Sequence, residues 1–331
     1  MTPASPPTTP RHLSDPLISV VIPCYNESEV LPLLYERVTA AVKSWGMRYE
    51  IITVDDGSTD DTWAMLASYH EADSNWKAVR LARNFGHQLA LWAGLKQTRG
   101  DAVVVLDADL QDPPETVPKL LEKWKEGYDI VYAIRQNRKE GPLKLAAYYC
   151  YYRVLAFLAE IEVPLDSGDF CVMDRRVVDT MTSITEQQPF VRGLRAWVGF
   201  RQIGVPYDRD RRAAGDVKYT FRKLSQLALN GIFSYSTRPL KLATYMGFIV
   251  SIMAFLGAIF TFFQRIFADQ FAAWGMPFVP GFATNVIAVL FIGGVQLVCV
   301  GILGEYVARI YDNVRGRPQF TISDVKGIDG H

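Results

Sequence analysis

The chain has 331 residues, 49% of them hydrophobic, and its 35 Lys+Arg are balanced by 35 Asp+Glu. That length makes about two domains. Zero net charge argues against a general nucleic-acid binder, which carries a basic excess, and against a disordered polyelectrolyte.

Residues 1–16 hold five prolines with Ser and Thr between them and no apolar run of the secretory kind, so they read as a disordered tail. From Leu17 short apolar runs alternate with amphipathic stretches. Ile18–Ile22 reads as a buried strand ended by Pro23. Residues 28–44 carry Val30, Leu33, Leu34, Val38 and Val42 at helical spacing. Tyr49–Val54 reads as a strand closed by Asp55-Asp56-Gly57-Ser58, and Thr59–His70 as a helix. A strand at Lys77–Leu81, a helix over Gln88–Gln97 and a strand at Ala102–Leu106 continue the alternation, and another strand is read at Ile130–Ile134. The run Ala102–Leu106 is wholly apolar, as in a strand covered on both faces. Alternating strands and helices predict a parallel α/β sheet with ligands at the carboxyl ends of its strands. Four scattered cysteines (Cys24, Cys150, Cys171, Cys299) form no CxxC pair, which fits a reducing compartment rather than a disulfide framework.

The last third differs. Leu242–Phe263 is 22 residues without a charge, and Gln270–Gly304 is also free of charge, with an apolar core at Phe282–Leu303. A helix needs about 20 apolar residues to cross a bilayer, so two spans are expected. The loop between them has Arg265 as its one basic residue, whereas Arg222, Lys223, Arg238 and Lys241 precede the pair and Arg309, Arg315 and Arg317 follow it. The positive-inside rule places both ends in the cytoplasm. Lys218–Tyr235 sets Phe221, Leu224, Leu227, Ile232 and Phe233 against Lys218, Arg222 and Lys223, the composition of an amphipathic helix in the membrane interface. The chain thus divides into a tail (1–16), an α/β domain (17–217), an interfacial helix (218–238), a two-helix membrane region (239–308) and a C-terminal tail (309–331). The stretch Arg309–Asp324 is a candidate strand for a neighbouring subunit, so a homo-oligomer is one expectation.

Asp107-Ala108-Asp109-Leu110-Gln111 follows the strand at Ala102–Leu106. Two carboxylates two residues apart at a strand end suit a hard divalent cation and the phosphates it carries. Pro23-Cys24-Tyr25-Asn26-Glu27 and Asp55-Asp56-Gly57-Ser58 end two other strands, so three acidic turns would meet at one sheet edge. The four histidines lack metal-ligand spacing. His87 reads as structural or near an acceptor, Trp197 as packing or a sugar platform, and Arg192, Arg195 and Arg201 as a solvated basic face or an attraction for anionic head groups.

In order and spacing, the Pro23–Glu27 turn, VDDGSTD from Val54, RNFGHQLA from Arg83 and DADLQDPPE from Asp107 resemble glycosyltransferase family 2. GDFCVMDR from Gly168, RGLRAWVGF from Arg192 and the two spans resemble its polyisoprenyl-phosphate glycosyltransferase branch, which is related to dolichyl-phosphate mannose synthases. The resemblance covers residues 17–320. It implies a GT-A fold, a mostly parallel Rossmann-like sheet with interfacial and membrane helices, and transfer of a sugar from a nucleotide sugar to a lipid phosphate. It also implies that Pro23, Tyr25 and Glu27 hold the nucleoside, that Val54 and Asp56 lie beside the base and ribose, and that Asp107, Ala108 and Asp109 line the diphosphate. Asp107, Asp109 and Gln111 are the implied ligands of Mg²⁺ or Mn²⁺. Arg135 would sit near the phosphates, and Arg212 with Lys218 would close over donor or acceptor phosphate. Val217 stands where the family often has Ser or Thr. Asp169 matches the position of a catalytic base. An acceptor phosphate monoester is largely anionic at neutral pH, its second pKa being about 6, so Asp169 either takes a proton or orients acceptor and sugar.

The sequence reading is therefore an inverting, metal-dependent hexosyltransferase of the inner (plasma) membrane, with catalytic domain and termini cytoplasmic. The implied donor is UDP-glucose, with GDP-mannose and UDP-N-acetylglucosamine as alternatives. A processive polysaccharide synthase is disfavoured because no QxxRW is present: Gln188 and Arg192 are four apart with no Arg-Trp pair. A non-enzymatic membrane scaffold would not need three acidic turns. The absence of GxGxxG and of a P-loop disfavours a nucleotide-dependent oxidoreductase.

Overall fold

The computed structural model describes residues 10–11, 13–136, 167–208, 237–275 and 281–328. They fall into two compact units, the first including the α/β domain and the stretch after Arg315, the second the apolar helices.

The first unit is built on β1 (Leu17–Cys24), α1 (Leu31–Ser44), β2 (Arg48–Asp55), α2 (Thr62–Ala72), β3 (Trp76–Leu81), α3 (His87–Gln97), β4 (Ala102–Val105), α4 (Val117–Lys125) and β5 (Ile130–Gln136). It continues through β6 (Ser167–Asp174), α5 (Arg175–Thr182), α6 (Val191–Trp197) and β7 (Gln202–Asp208). The second unit holds α7 (Arg238–Ile266), α8 (Ala268–Ala273) and α9 (Phe282–Val314), after which β8 (Ile322–Lys326) rejoins the first.

One eight-stranded sheet runs β7-β5-β6-β4-β1-β2-β3-β8. β1 lies between β2 and β4 and is parallel to both, so the order reverses at the β1/β4 boundary. That switch point opens a crevice beyond the strand carboxyl ends. Side chains alternate between two layers. Ile18, Val20 and Ile22 pack with residues of α1 and α4, whereas Val54 and Ile52 lie beneath Ala90 and Ala93 of α3. α3 sits close because Gly94 has no side chain: a Cβ there would come within 2.4 Å of Val21.

The sheet is parallel around β1, as the α/β alternation predicts, and mixed towards its two ends. β6 is antiparallel to both β4 and β5, and β8 is antiparallel to β3. β5 and β7 are parallel. β8, which overlaps the end of the stretch read as a candidate strand for a neighbouring subunit, adds to β3 of its own chain. Its short edge is backed by Phe320, Ile322 and Ile328, which pack against the α3-side core. Arg11, inside the stretch read as a disordered tail, is held beside the end of α4, the start of β5 and the end of β6. Its guanidinium pairs with Asp129 at 2.6 Å and Asp174 at 2.9 Å, and it donates to the Trp124 and Tyr128 carbonyls.

In the second unit α7 and the segment Phe291–Val314 of α9 are each long and apolar enough to cross a membrane, and their apolar windows are not buried within the chain. α9 is longer than the expected apolar core and continues through charged Glu305, Arg309 and Asp312. The expected interfacial helix (218–238) lies outside the described residues except for its last two positions.

Candidate active site

The loops after β1, β2, β3 and β4 emerge together at the carboxyl edge of the parallel strands. Asn26, in the left-handed region at φ 52°, ties two of them. Its backbone N–H donates to Ser58 Oγ, and its side-chain oxygen accepts from the Thr59 N–H, both at 2.9 Å. Asn tolerates that conformation better than most residues. Asp56 ties the second loop to the third, its carboxylate accepting the Phe85 N–H at 2.7 Å and the Gly86 N–H at 2.9 Å. Gly57 has φ +68°, and a Cβ on it would lie 2.5 Å from the Arg83 carbonyl carbon. The Gly57 turn is thus wedged against the Arg83–Gly86 loop.

Asp107 and Asp169 come together through strand register. β4 pairs with β6 so that Val105 faces Cys171. Continuing that register by two residues sets Asp107 opposite Asp169. His87, first residue of α3, lies between them, its Nε2 3.3 Å from Asp169 Oδ2 and 3.7 Å from Asp107 Oδ1. Asp169 is 2% exposed. Arg192 of α6 grips it through both oxygens, Nε to Oδ1 at 2.7 Å and Nη2 to Oδ2 at 3.0 Å. Gln88 Nε2 donates to Oδ2 at 3.3 Å, and Gln88 Oε1 accepts the Val191 N–H at 2.9 Å.

Burial would raise the Asp169 pKa, but the Arg192 charge and the hydrogen bonds from His87 and Arg192 hold it well below the usual carboxylate range. Burial raises the Asp107 carboxyl to about 6, the His87 charge opposing and Asp169 adding. His87 is pushed up to about 9: desolvation favours the neutral ring, but the hydrogen bond to Asp169 and the Asp107 charge outweigh it.

The Asp107–Gln111 strip carries local strain. Leu110 has φ 56°, is 2% exposed and packs in the core. A bulky residue so placed costs about 1–3 kcal/mol. Asp109 Oδ1 accepts the Gln111 N–H at 3.1 Å. Asp112 ends the strip, buried and accepting the Tyr207 hydroxyl of β7.

Two carboxylates and an amide within five residues suit a hard cation. Asp107 Oδ1 is buried with no hydrogen-bond partner among the described residues, as expected of an oxygen turned toward an ion. No group of three or more His, Cys, Asp or Glu side chains among the described residues is arranged to hold a metal by itself. The strip therefore fits a cation that fills its remaining positions with substrate phosphates and water.

Of the other expected site residues, Tyr25 is 38% exposed at the crevice mouth. Glu27 anchors the loop, its N–H donating to Thr62 Oγ1 at 3.0 Å. Pro23 lies in buried β1, and Ala108 is buried beside the two aspartates. The Val54 side chain is wholly buried beneath α3, so only its backbone reaches the edge. Asp56 spends its carboxylate on backbone N–H groups, an organising role. Arg135 stands at the carboxyl end of β5, on the site edge. Arg212 and Lys218 lie outside the described residues.

The sequence reading singled out neither Gln88 nor the Arg192–Asp169 pair. Gln88 stood within RNFGHQLA, and Arg192 was grouped with a basic face. Arg195, also placed on that face, is 1% exposed and donates to the Gly168 carbonyl at 3.4 Å, supporting the start of β6. Trp197 is 61% exposed rather than a packing residue.

Residues 19–182 match the family model Glycosyl transferase family 2, and residues 238–310 match the model GtrB C-terminal hairpin. An uncharacterised glycosyltransferase of Synechocystis sp. is 42% identical over 94% of this chain and 96% of its own. The bactoprenol glucosyl transferase of Shigella phage SfX is 37% identical over 93% of this chain and 99% of its own. A protein named as a putative glycosyltransferase of Bacillus subtilis is 34% identical over 93% and 92%.

Proposed function

The chain belongs to glycosyltransferase family 2, and we propose that it transfers glucose from UDP-glucose to a polyprenyl phosphate at a membrane, inverting the anomeric carbon. The observation that supports this most is similarity running through both the catalytic unit and the apolar hairpin to relatives named bactoprenol glucosyl transferase. The site chemistry is consistent with it.

An oxygen of the acceptor phosphate attacks glucose C1. The C1–O bond to UDP breaks, and its electron pair leaves with the diphosphate. A phosphate monoester has a second pKa of about 6, so at neutral pH the nucleophile is already an anion. Asp169, with its oxygens engaged by Arg192, His87 and Gln88, is assigned a positioning role rather than that of a base. It fixes His87 and Arg192 beside Asp107, where acceptor and donor phosphates would meet. Asp107, Asp109 and Gln111 would hold Mg²⁺ or Mn²⁺, and such an ion supplies positive charge where the departing diphosphate gains negative charge. Pro23, Tyr25, Glu27, the Val54 backbone and Asp56 would shape the nucleoside pocket. Arg135, Arg212 and Lys218 are assigned to the phosphates.

In this reading α7 and α9 span the plasma membrane with the catalytic unit and both termini in the cytoplasm, because Arg238 and Lys241 stand at the start of α7 and Arg309, Arg315 and Arg317 at or beyond the end of α9, whereas Arg265 is the one basic residue where the two helices approach the connecting loop. Anchoring the enzyme beside an acceptor whose tail stays in the bilayer shortens the search.

The test is transfer of radiolabelled sugar from UDP-glucose, GDP-mannose and UDP-N-acetylglucosamine to undecaprenyl phosphate in detergent, with Mn²⁺ or EDTA. Lipid-linked label from UDP-glucose, abolished by EDTA, is expected. Label from another donor alone would correct the sugar, and no label from any donor to folded protein would overturn the reading.

A further inference from the structure

Only four residues separate the end of α9 at Val314 from Gln319, a side chain that joins two parts of the catalytic unit. Gln319 Oε1 accepts the indole N–H of Trp92 at 3.1 Å and the Lys96 ammonium at 2.9 Å, both on α3. Its amide donates to the Glu186 carbonyl, in the loop between α5 and α6. Trp92 is wholly buried. The next residue, Phe320, lies beneath Lys96 with the ammonium 5.6 Å from its ring centre, and packs on the α3-side core.

The two elements that Gln319 joins are those that grip Asp169. α3 supplies His87 and Gln88 at its first turn, and the loop that includes Glu186 runs directly into Val191 and Arg192. Loop and α3 are thus fastened at two places: by Gln88 to the Val191 N–H near the site, and by Gln319 to the Glu186 carbonyl one to two helical turns away. Without the Gln319 hydrogen bond the loop is held less tightly at Glu186, upstream of Val191 and Arg192. With it, the approach of Arg192 to Asp169 is more closely fixed. A side chain at the end of a long lever matters here because reacting groups misplaced by about 1 Å can lose about 100-fold in rate.

We propose that Gln319 is a positioning residue for transfer, a clamp by which the chain returning from the apolar hairpin holds α3 and the α5–α6 loop in register, so that Gln88 and Arg192 meet Asp169. It adds a residue to the site through the hydrogen bonds of Gln319 and rests on the glycosyl-transfer reading. The consequence is a direct covalent route from hairpin to site, since displacing the segment after α9 removes the clamp.

The experiment uses full-length protein in detergent and three variants, Gln319→Ala, Gln319→Glu and Arg192→Ala. Gln319→Glu keeps an acceptor for Trp92 and Lys96 but cannot donate to Glu186, so it separates the clamp from the packing of α3. Expected for both Gln319 variants are faster amide hydrogen exchange over residues 184–192 with β1 and β2 unchanged, a kcat lowered about tenfold and a donor KM within about twofold of wild type. Adding Gln319→Glu to Arg192→Ala should produce no further loss, because both act through one contact. Wild-type exchange and kcat in Gln319→Glu, or additive losses in the double variant, would overturn the clamp. If no donor labels the lipid, the transfer reading fails, while the exchange measurement still decides on the clamp by itself.

Discussion

Arg192 holds Asp169 by a two-pronged ion pair, Nε to Oδ1 at 2.7 Å and Nη2 to Oδ2 at 3.0 Å, with the carboxylate 2% exposed. A carboxylate so engaged is a poor proton acceptor, because protonation would break the pair and leave a guanidinium partly buried without its counter-charge. Asp169→Asn should therefore lose activity by about 100-fold at pH 6 through misplacement of Arg192 and His87, and the deficit should widen towards pH 9 as His87, without its hydrogen bond to Asp169, loses its charge. Rate-against-pH profiles of wild type and variant check this. A deficit at every pH is expected; one confined to low pH, where the acceptor carries its second proton, would instead assign proton transfer to Asp169.

Asp109 and Asp107 make separate predictions about metal binding. Asp109 is partly exposed on the strip, whereas Asp107 Oδ1 is buried without a hydrogen-bond partner among the described residues. Mn²⁺ titrated into protein with UDP, followed by electron paramagnetic resonance, should bind at least about tenfold more weakly to Asp109→Ala. Asp107→Asn should weaken it similarly while changing the melting temperature little, since His87, the ionic neighbour of Asp107 at 3.7 Å, keeps its closer contact with Asp169 at 3.3 Å. A lower melting temperature with unchanged Mn²⁺ affinity would mark Asp107 as structural.

Gly57 predicts a steric effect on the loops at the sheet edge. A methyl group there would lie 2.5 Å from the Arg83 carbonyl carbon and 2.7 Å from the Asn84 nitrogen, on a backbone at φ +68°. Gly57→Ala should destabilise the chain by about 1–3 kcal/mol and, on the proposed reading that sets Asp56 beside the nucleoside, raise the donor KM more than it lowers kcat, because the displaced Arg83–Gly86 loop is tied to Asp56. Thermal melts and steady-state kinetics test the two halves separately.

The first four strands were readable because each is a run of neighbours with one local rule. Ile18–Ile22 and Ala102–Leu106 are continuous apolar segments, and central parallel strands buried on both faces have that composition. β6 escaped that rule. Ser167–Asp174 mixes Asp169 and Asp174 with apolar residues and pairs antiparallel with β4 and β5, a choice set by long-range register rather than by its own sequence. That register makes Asp107 and Asp169 neighbours, so the sequence could place each at a strand end yet not show that they share His87. The case of β8 is similar. Its partner β3 lies some 240 residues upstream, Val79 facing Val325, and nothing local specifies that pairing. Val54 adds a detail that the resemblance did not carry: it puts Val54 beside the base and ribose, and strand alternation sends the side chain under α3, which leaves the backbone for that place.

A stability prediction comes from the other end of the sheet. Glu50 is 3% exposed and accepts the Ser19 hydroxyl at 2.5 Å, the Lys77 ammonium at 2.7 Å and the Arg99 N–H at 2.7 Å. Burial alone would raise its pKa, but the hydrogen bonds from Lys77, Ser19 and Arg99 outweigh it and hold the carboxyl below the usual glutamate range. A group whose folded pKa is depressed stabilises the fold above its unfolded pKa, about 4.3, and loses that contribution as pH falls through the folded value. Glu50→Gln should cost about 2 kcal/mol at pH 7, and the gap between variant and wild type should narrow below about pH 4. Melting temperatures at pH 7, 5 and 3.5 measure it. A gap that stays constant across that range would mean that the carboxylate's charge contributes nothing and that only its packing and neutral hydrogen bonds matter. Glu50 lies in the amino-terminal half of β2, away from the acidic edge, so kcat at neutral pH and a temperature well below the variant's melting point should be unchanged.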